Sequence, residues 1–122
     1  MTMKPRKALT IAGSDCSGGA GIQADLKTFQ ERDVYGMSVL TVLVAMKPDT
    51  WAHVVEPVGL EMIREQYATI LPGIGVDAVK TGMLPTVPII ELVGELLAAS
   101  AVPHLVIDPV MVCKGTSEAL FP

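Results

Sequence analysis

The chain has 122 residues, half of them hydrophobic, 4% aromatic and 18% charged, with a formal net charge of −4 and a pI near 5.0. That is length enough for one core, too apolar for disorder, and without the basic block that nucleic-acid binding calls for. The longest apolar stretch, residues 39–46, is interrupted by Thr41 and falls far short of the ~20 residues of a spanning helix. Near the start, Lys4, Arg6 and Lys7 precede an apolar run that stops at Ala12 before Gly-Ser-Asp, which reads as a first strand rather than a secretory signal. Cys16 and Cys113, far apart in sequence, read as cytosolic thiols rather than a disulfide framework, so a cytoplasmic location with no membrane or nucleic-acid partner is expected.

In chain order, residues 8–12 form a short β-like run, followed by a Ser/Gly cluster over residues 14–21. Ile22, Leu26 and Phe29 then recur at i, i+4 and i+7, one apolar face of a helix that Tyr35-Gly36 breaks. Residues 38–46 predict a dense apolar strand buried on both faces. A polar, Pro-containing stretch leads to a second helix marked by Ile63, Tyr67, Ile70 and Leu71 and closed by Pro72-Gly73. Residues 76–81 predict a strand ended by Gly82. Thr86 caps a third helix with Pro88 in its first turn and Ile89, Ile90, Val93, Leu96 and Leu97 on its buried side. Residues 105–108 form a further strand running into Pro109. Helices between strands require crossovers, so the expected class is α/β with an open, mainly parallel sheet and flanking helices. Residues 115–122 read as the loop and turn after a strand, and an uncovered sheet edge is expected.

The sharpest local feature is Gly13-Ser14-Asp15-Cys16-Ser17-Gly18-Gly19-Ala20-Gly21, between the first strand and the first helix. In an open α/β sheet ligands bind there, because free backbone N–H groups and the helix N-terminus face the crevice. Two near-matches fail. Gly13-x-x-x-x-Gly18 begins like a phosphate-binding P-loop, but Gly19-Ala20 replaces the Lys-Ser/Thr that loop needs. Gly19-x-Gly21-x-x-Ala24 matches a dinucleotide fingerprint, yet the second strand ends at Met46-Lys47 with no carboxylate for a ribose, and six residues separate the first strand from Gly19. Lys80-Thr81-Gly82-Met83 and Asp108-Pro109-Val110-Met111 lie at strand ends on the same edge. Taken alone, Asp108 suits either a buried structural carboxylate or one beside a metal ion or phosphate. Met83 and Met111 suit core filling as well as ligand contact. Lys114, next to Cys113, would favour thiolate.

Together, the segment Ala12-Gly13-Ser14-Asp15 through Ser17-Gly18-Gly19-Ala20-Gly21-Ile22-Gln23-Ala24-Asp25-Leu26-Lys27-Thr28-Phe29 resembles the hydroxymethylpyrimidine/phosphomethylpyrimidine kinase family of the ribokinase-like superfamily. So do Val79-Lys80-Thr81-Gly82-Met83-Leu84 and Val106-Ile107-Asp108-Pro109-Val110-Met111. Pyrimidine kinases of this kind usually carry Gln where this chain has Met46, and commonly Ala-Lys where it has Cys113-Lys114. Met46, Trp51, His53 and Val110-Met111-Val112-Cys113-Lys114-Gly115 look instead like the bacterial pyridoxine/pyridoxal kinase branch. Family members are longer, and their second half carries the anion hole, the catalytic base and most of the nucleotide site. Residues 1–122 therefore resemble the N-terminal, substrate-binding portion of a kinase domain, expected to be inactive alone.

The resemblance implies an ATP- and Mg²⁺-dependent kinase acting on the hydroxymethyl group of pyridoxine, pyridoxal or pyridoxamine, and a homodimer at full length. Gly13, Asp15, Ala20, Gly21 and Met46 would line the acceptor pocket, with Asp15 facing a polar edge of the ring. Met83 and Val110 would pack on the ring faces, and His53, in a lid-like segment, would bond a ring substituent. Cys113 would add to a substrate aldehyde, and Asp108 would stand near Mg²⁺ through water. Lys80 suits either a buried ion pair or a phosphate contact, and Cys16 has no assigned role. The alternatives are a hydroxymethylpyrimidine/phosphomethylpyrimidine kinase of thiamine biosynthesis, a non-catalytic ring-binding fragment, and a nucleotide-dependent oxidoreductase favoured only by Gly19-x-Gly21-x-x-Ala24.

Overall fold

The computed structural model describes residues 4–110. In chain order the elements are β1 (Lys7–Asp15), α1 (Gly21–Glu31), β2 (Tyr35–Met46), β3 (His53–Pro57), α2 (Leu60–Ile70), β4 (Ala78–Thr81), α3 (Val87–Ala98) and β5 (His104–Ile107). The strands form one sheet in the order β3-β2-β1-β4-β5. Every neighbouring pair is parallel except β2 and β3. The open, mainly parallel α/β architecture expected from the alternation of strand and helix patterns is present.

Strand alternation divides the sheet into two unlike faces. Leu9, Ile11, Met37, Val39 and Val79 point to one side and form the core with Ile63, Tyr67 and Ile70 of α2 and Ile89, Leu92 and Val93 of α3. The Tyr67 hydroxyl reaches the Leu96 carbonyl at 3.2 Å and the Ser100 hydroxyl at 2.7 Å, so the buried ring has a polar partner at its tip. The opposite face carries Ala8, Thr10, Ala12 and Gly36, whose small side chains admit α1 closely. A Cβ on Gly36 would meet the Phe29 ring at 2.8 Å.

Helix ends follow local chemistry. The Thr86 hydroxyl accepts from the Ile89 N–H at 3.3 Å, capping α3 as its sequence predicts, with Pro at the start where no N–H partner is needed. The buried stripe of α3 differs by one position: Leu92 faces the core, while Ile90 is exposed and Leu96 and Leu97 are half-buried against it. Positions 89, 92, 93 and 96 are the set that one helical face selects.

Two expectations are corrected. Strand β2 is buried only in its first part. Met37, Val39, Thr41 and Val42 are enclosed, whereas Leu43 is exposed, because the strand runs past the helices to pair with an edge hairpin. The stretch after β2 contains strand β3, with Met46 opposite His53 and Val42 opposite Pro57. Its Glu and Pro obscure a strand pattern, and both are tolerated at a sheet edge. Where β3 stops short of Leu40, the Gln66 side chain of α2 serves both backbone groups, accepting from the Leu40 N–H at 2.8 Å and donating to its carbonyl at 3.1 Å. At the far side β5 is the edge among the described residues, with Val106 and Ile107 exposed.

The core predicts a contrast within one helix. Ile63→Ala should cost about 2–5 kcal/mol in urea unfolding, whereas Met62→Ala, on the exposed side, should stay within about 0.5 kcal/mol.

Candidate active site

A cleft of about 680 Å³ opens where the carboxyl ends of the strands meet the start of α1. Its floor is backbone. In the β1–β2 pairing the register slips between Ala12 and Ser14, placing Gly13 against two residues of β2. A Cβ on Gly13 would lie 2.6 Å from Val42 Cγ1. Gly21, the first residue of α1, has φ +62°, and a Cβ there would strike the Gly13 carbonyl. Two backbones thus cross in near contact, which glycine alone permits.

The loop between them is held by its own side chains. The Asp15 carboxylate accepts from the Ser17 hydroxyl at 2.6 Å and from the Ser17 N–H at 3.0 Å. That hydroxyl foremost, with the backbone N–H groups of Ser17, Ala20 and Gly19, holds the Asp15 pKa below its ordinary value against the opposing effect of burial. Gln23 ties loop to helix, donating to the Ser14 hydroxyl at 2.7 Å and accepting from the Asp15 N–H at 2.9 Å.

The sequence-predicted residues that fall among the described ones line this cleft. Gly13, Asp15, Ala20 and Gly21 form one side, and Met46 and His53, paired across β2 and β3, form the other. Met83 follows β4, its carbonyl accepting from the Thr41 hydroxyl at 2.7 Å. Asp108 and Val110 follow β5. The Asp108 N–H donates to the Thr81 carbonyl at 3.1 Å, extending the β4–β5 pairing to the carboxylate. His53, expected in a lid-like loop, stands instead on a strand, its position fixed by register with Met46. Cys113, Met111 and Lys114 lie outside the described residues.

Lys80 makes the ion pair rather than standing free: its ammonium lies 2.9 Å from Asp25 Oδ2, with side chains 25% and 19% exposed. The same oxygen accepts from the buried Thr10 hydroxyl at 2.6 Å. Sequence reasoning missed Thr10, Asp25 and Gln23. Asp25 had a signal, since it falls in the stripe of Ile22, Leu26 and Phe29 that faces the sheet, where an unpaired carboxylate would be costly. A larger hollow of about 770 Å³ lies at the opposite end of the sheet, near Arg6, Phe29, Arg32 and His104, and gathers none of these residues.

With this geometry stands a sequence match to the phosphomethylpyrimidine kinase family over residues 15–122. The chain belongs to that family. Among curated relatives, a pyridoxine kinase of Bacillus subtilis is 64% identical over 121 residues, covering 98% of this chain and 45% of the relative. The hydroxymethylpyrimidine/phosphomethylpyrimidine kinase of the same organism is 46% identical over 114 residues, covering 93% of this chain and 42% of the relative. The structure of Staphylococcus aureus pyridoxal kinase in complex with AMP-PCP and pyridoxal superposes with a TM-score of 0.85 at 54% identity, covering 92% of this chain and 41% of that one. The chain therefore spans less than half the length of the relatives it matches, and its fold is that of the corresponding part of a ribokinase-like kinase.

Membership in a kinase family weighs against the oxidoreductase reading, although one argument against it needs correction. Strand β1 runs to Asp15, so only residues 16–18 separate it from Gly19. The missing carboxylate at the end of β2 is the argument that stands.

For Mg²⁺, which this family implies, the donor set is lean. No group of three or more His, Cys, Asp or Glu gathers among the described residues. Of the three carboxylates that line the cleft, Asp15 is engaged by Ser17 and Asp25 by Lys80, and Asp108 fits an ion held mainly by phosphate oxygens and water.

The loop yields a test. A folded-state pKa below the unfolded value means that the Asp15 contribution to stability is present above about pH 4 and is lost as pH falls through the lowered value. Ser17→Ala should raise the Asp15 pKa in a carboxyl NMR titration and shrink that acid-side dependence.

Proposed function

We propose that this chain is the acceptor-binding part of an ATP-dependent kinase that phosphorylates the hydroxymethyl group of pyridoxine, pyridoxal or pyridoxamine. The observation that carries this reading is the Met46–His53 pair on the cleft wall. A Gln amide at position 46 could donate and accept along the edge of an aminopyrimidine, whereas a thioether offers only an apolar, polarizable surface. The 64% identity to a pyridoxine kinase, against 46% to a pyrimidine kinase, supports the same choice.

In this reading the heteroaromatic ring lies between Met83 and Val110, over a floor that the glycines leave bare. Asp15, an ionised carboxylate oriented by its hydrogen bonds from Ser17, faces a polar edge of the ring, and His53 bonds a substituent. The ring's hydroxymethyl group is then directed toward the Asp108 side of the cleft. Mg²⁺ and ATP would supply charge neutralisation and the phosphoryl group, with Asp108 contributing one carboxylate through water. Cys113 belongs to the same proposal. Its thiolate would add to the carbonyl carbon of pyridoxal, forming a C–S bond while the carbonyl oxygen takes a proton, a step closed to pyridoxine. A cytoplasmic homodimer completes the proposal.

The test is ATP consumption with pyridoxal, pyridoxine and hydroxymethylpyrimidine, using the protein carried to the length of its relatives. Turnover on the B6 vitamers is expected, and exclusive turnover on hydroxymethylpyrimidine would transfer the assignment to the thiamine branch. Asp108→Asn should lower kcat far more than it weakens acceptor binding, and equal losses would make the carboxylate structural. Met46→Gln should shift preference toward hydroxymethylpyrimidine by about one to two decades, the consequence of pairing a polar edge worth about 1–3 kcal/mol.

A further inference from the structure

Trp51, the single tryptophan of the 122 residues, occupies a backbone conformation that bulky residues avoid. Its φ is +56°, in the left-handed region that hairpin turns normally fill with Gly or Asn. The turn between β2 and β3 fixes it there. The Trp51 N–H donates to the Lys47 carbonyl at 2.7 Å, and the Lys47 N–H donates to the Ala52 carbonyl at 2.9 Å. The Thr50 hydroxyl accepts from the Ala52 N–H at 3.3 Å. No burial compensates this strain, since Trp51 is 64% exposed. It stands instead on the lining of the cleft, beside Met46 and His53.

Strained residues persist where surrounding structure holds them, and they concentrate at ligand clamps. A large aromatic surface left in water gains nothing for the fold but becomes favourable when a flat ring covers it. We infer that Trp51 is a specificity-determining residue whose indole closes over the exposed part of the acceptor's ring once that ring is seated against Met83 and Val110. This rests on the reading of the acceptor as a heteroaromatic alcohol. It adds a discriminating contact on the hairpin side, one that selects flat aromatic acceptors over aliphatic alcohols. The contact needs no large motion, because Trp51 already shares the cleft with both residues.

The experiment is calorimetric titration of the full-length protein with pyridoxine, comparing wild type, Trp51→Phe and Trp51→Gly. Phe keeps an aromatic face, whereas Gly removes it and accepts φ +56° without strain. Trp51→Phe should bind within about threefold of wild type and Trp51→Gly at least about tenfold more weakly, the loss expected when an aromatic contact goes together with the apolar area it covers. The Tm of Trp51→Gly should be equal to or above that of wild type, and ATP affinity should be unchanged. Wild-type pyridoxine affinity in Trp51→Gly would overturn the inference, as would a fall in its Tm accompanying weaker binding. If the wild type ignores pyridoxine but binds hydroxymethylpyrimidine, the vitamin B6 reading fails and the same variants titrated with that ring decide Trp51. Binding of neither ring overturns both.

Discussion

The Asp25 carboxylate joins three elements at one oxygen. It accepts the Thr10 hydroxyl from β1 and the Lys80 ammonium from β4, while its own backbone belongs to α1. Helix α1 has no fully buried residue, so packing alone anchors it less firmly than α2 and α3, which supply the helical side of the core. The small residues on the facing side of the sheet let the helix approach, and the charged bridge specifies where it stops. Removing either charge would leave the other half-buried without its partner, a costlier change than losing an exposed ion pair. Because α1 begins at the cleft, its placement also decides where the helix N-terminus stands on the cleft lining.

Above that bridge, the floor of the cleft depends on absent side chains. The slip in β1–β2 register, the close approach of Gly13 to Val42 and the crossing of Gly21 over the Gly13 carbonyl form one continuous arrangement. The slip also leaves Thr41 buried, with its hydroxyl bonded to the Met83 carbonyl, so the bulge and the residue proposed to support the ring are mechanically linked. Backbone against backbone gives little room for adjustment. In the proposed function, that rigidity suits a surface against which an acceptor is oriented before phosphoryl transfer.

The opposite wall is built differently. It is an edge hairpin, antiparallel in an otherwise parallel sheet, with exposed Val54 and Val55. Its side chains vary the chemistry of the pocket without disturbing the core, since Met46 and His53 are held by pairing with each other rather than by burial. The proposed substrate assignment turns on the chemistry that this wall presents, a thioether at Met46 rather than an amide.

Periodicity and punctuation in the sequence were sufficient for the alternating elements, the parallel sheet, the Thr86 cap and the placement of the glycine loop at a strand end, because those are short-range consequences of side-chain pattern. The glycine loop, the strand ends and the polar segment after the second strand likewise pointed to residues that, where described, line one cleft. The sequence did not disclose β3, whose Glu and Pro obscure its alternation and whose strand character comes from pairing with β2. Nor did it disclose the Thr10–Asp25–Lys80 bridge, since partners 15 and 55 residues apart in the chain are joined only by sheet order and helix docking. The choice for Lys80 between ion pair and phosphate contact was open for the same reason. Local chemistry therefore determined which residues could bind. The tertiary structure decided which of them neutralise one another and which remain turned toward a ligand, because charge pairing depends on distance in space rather than along the chain.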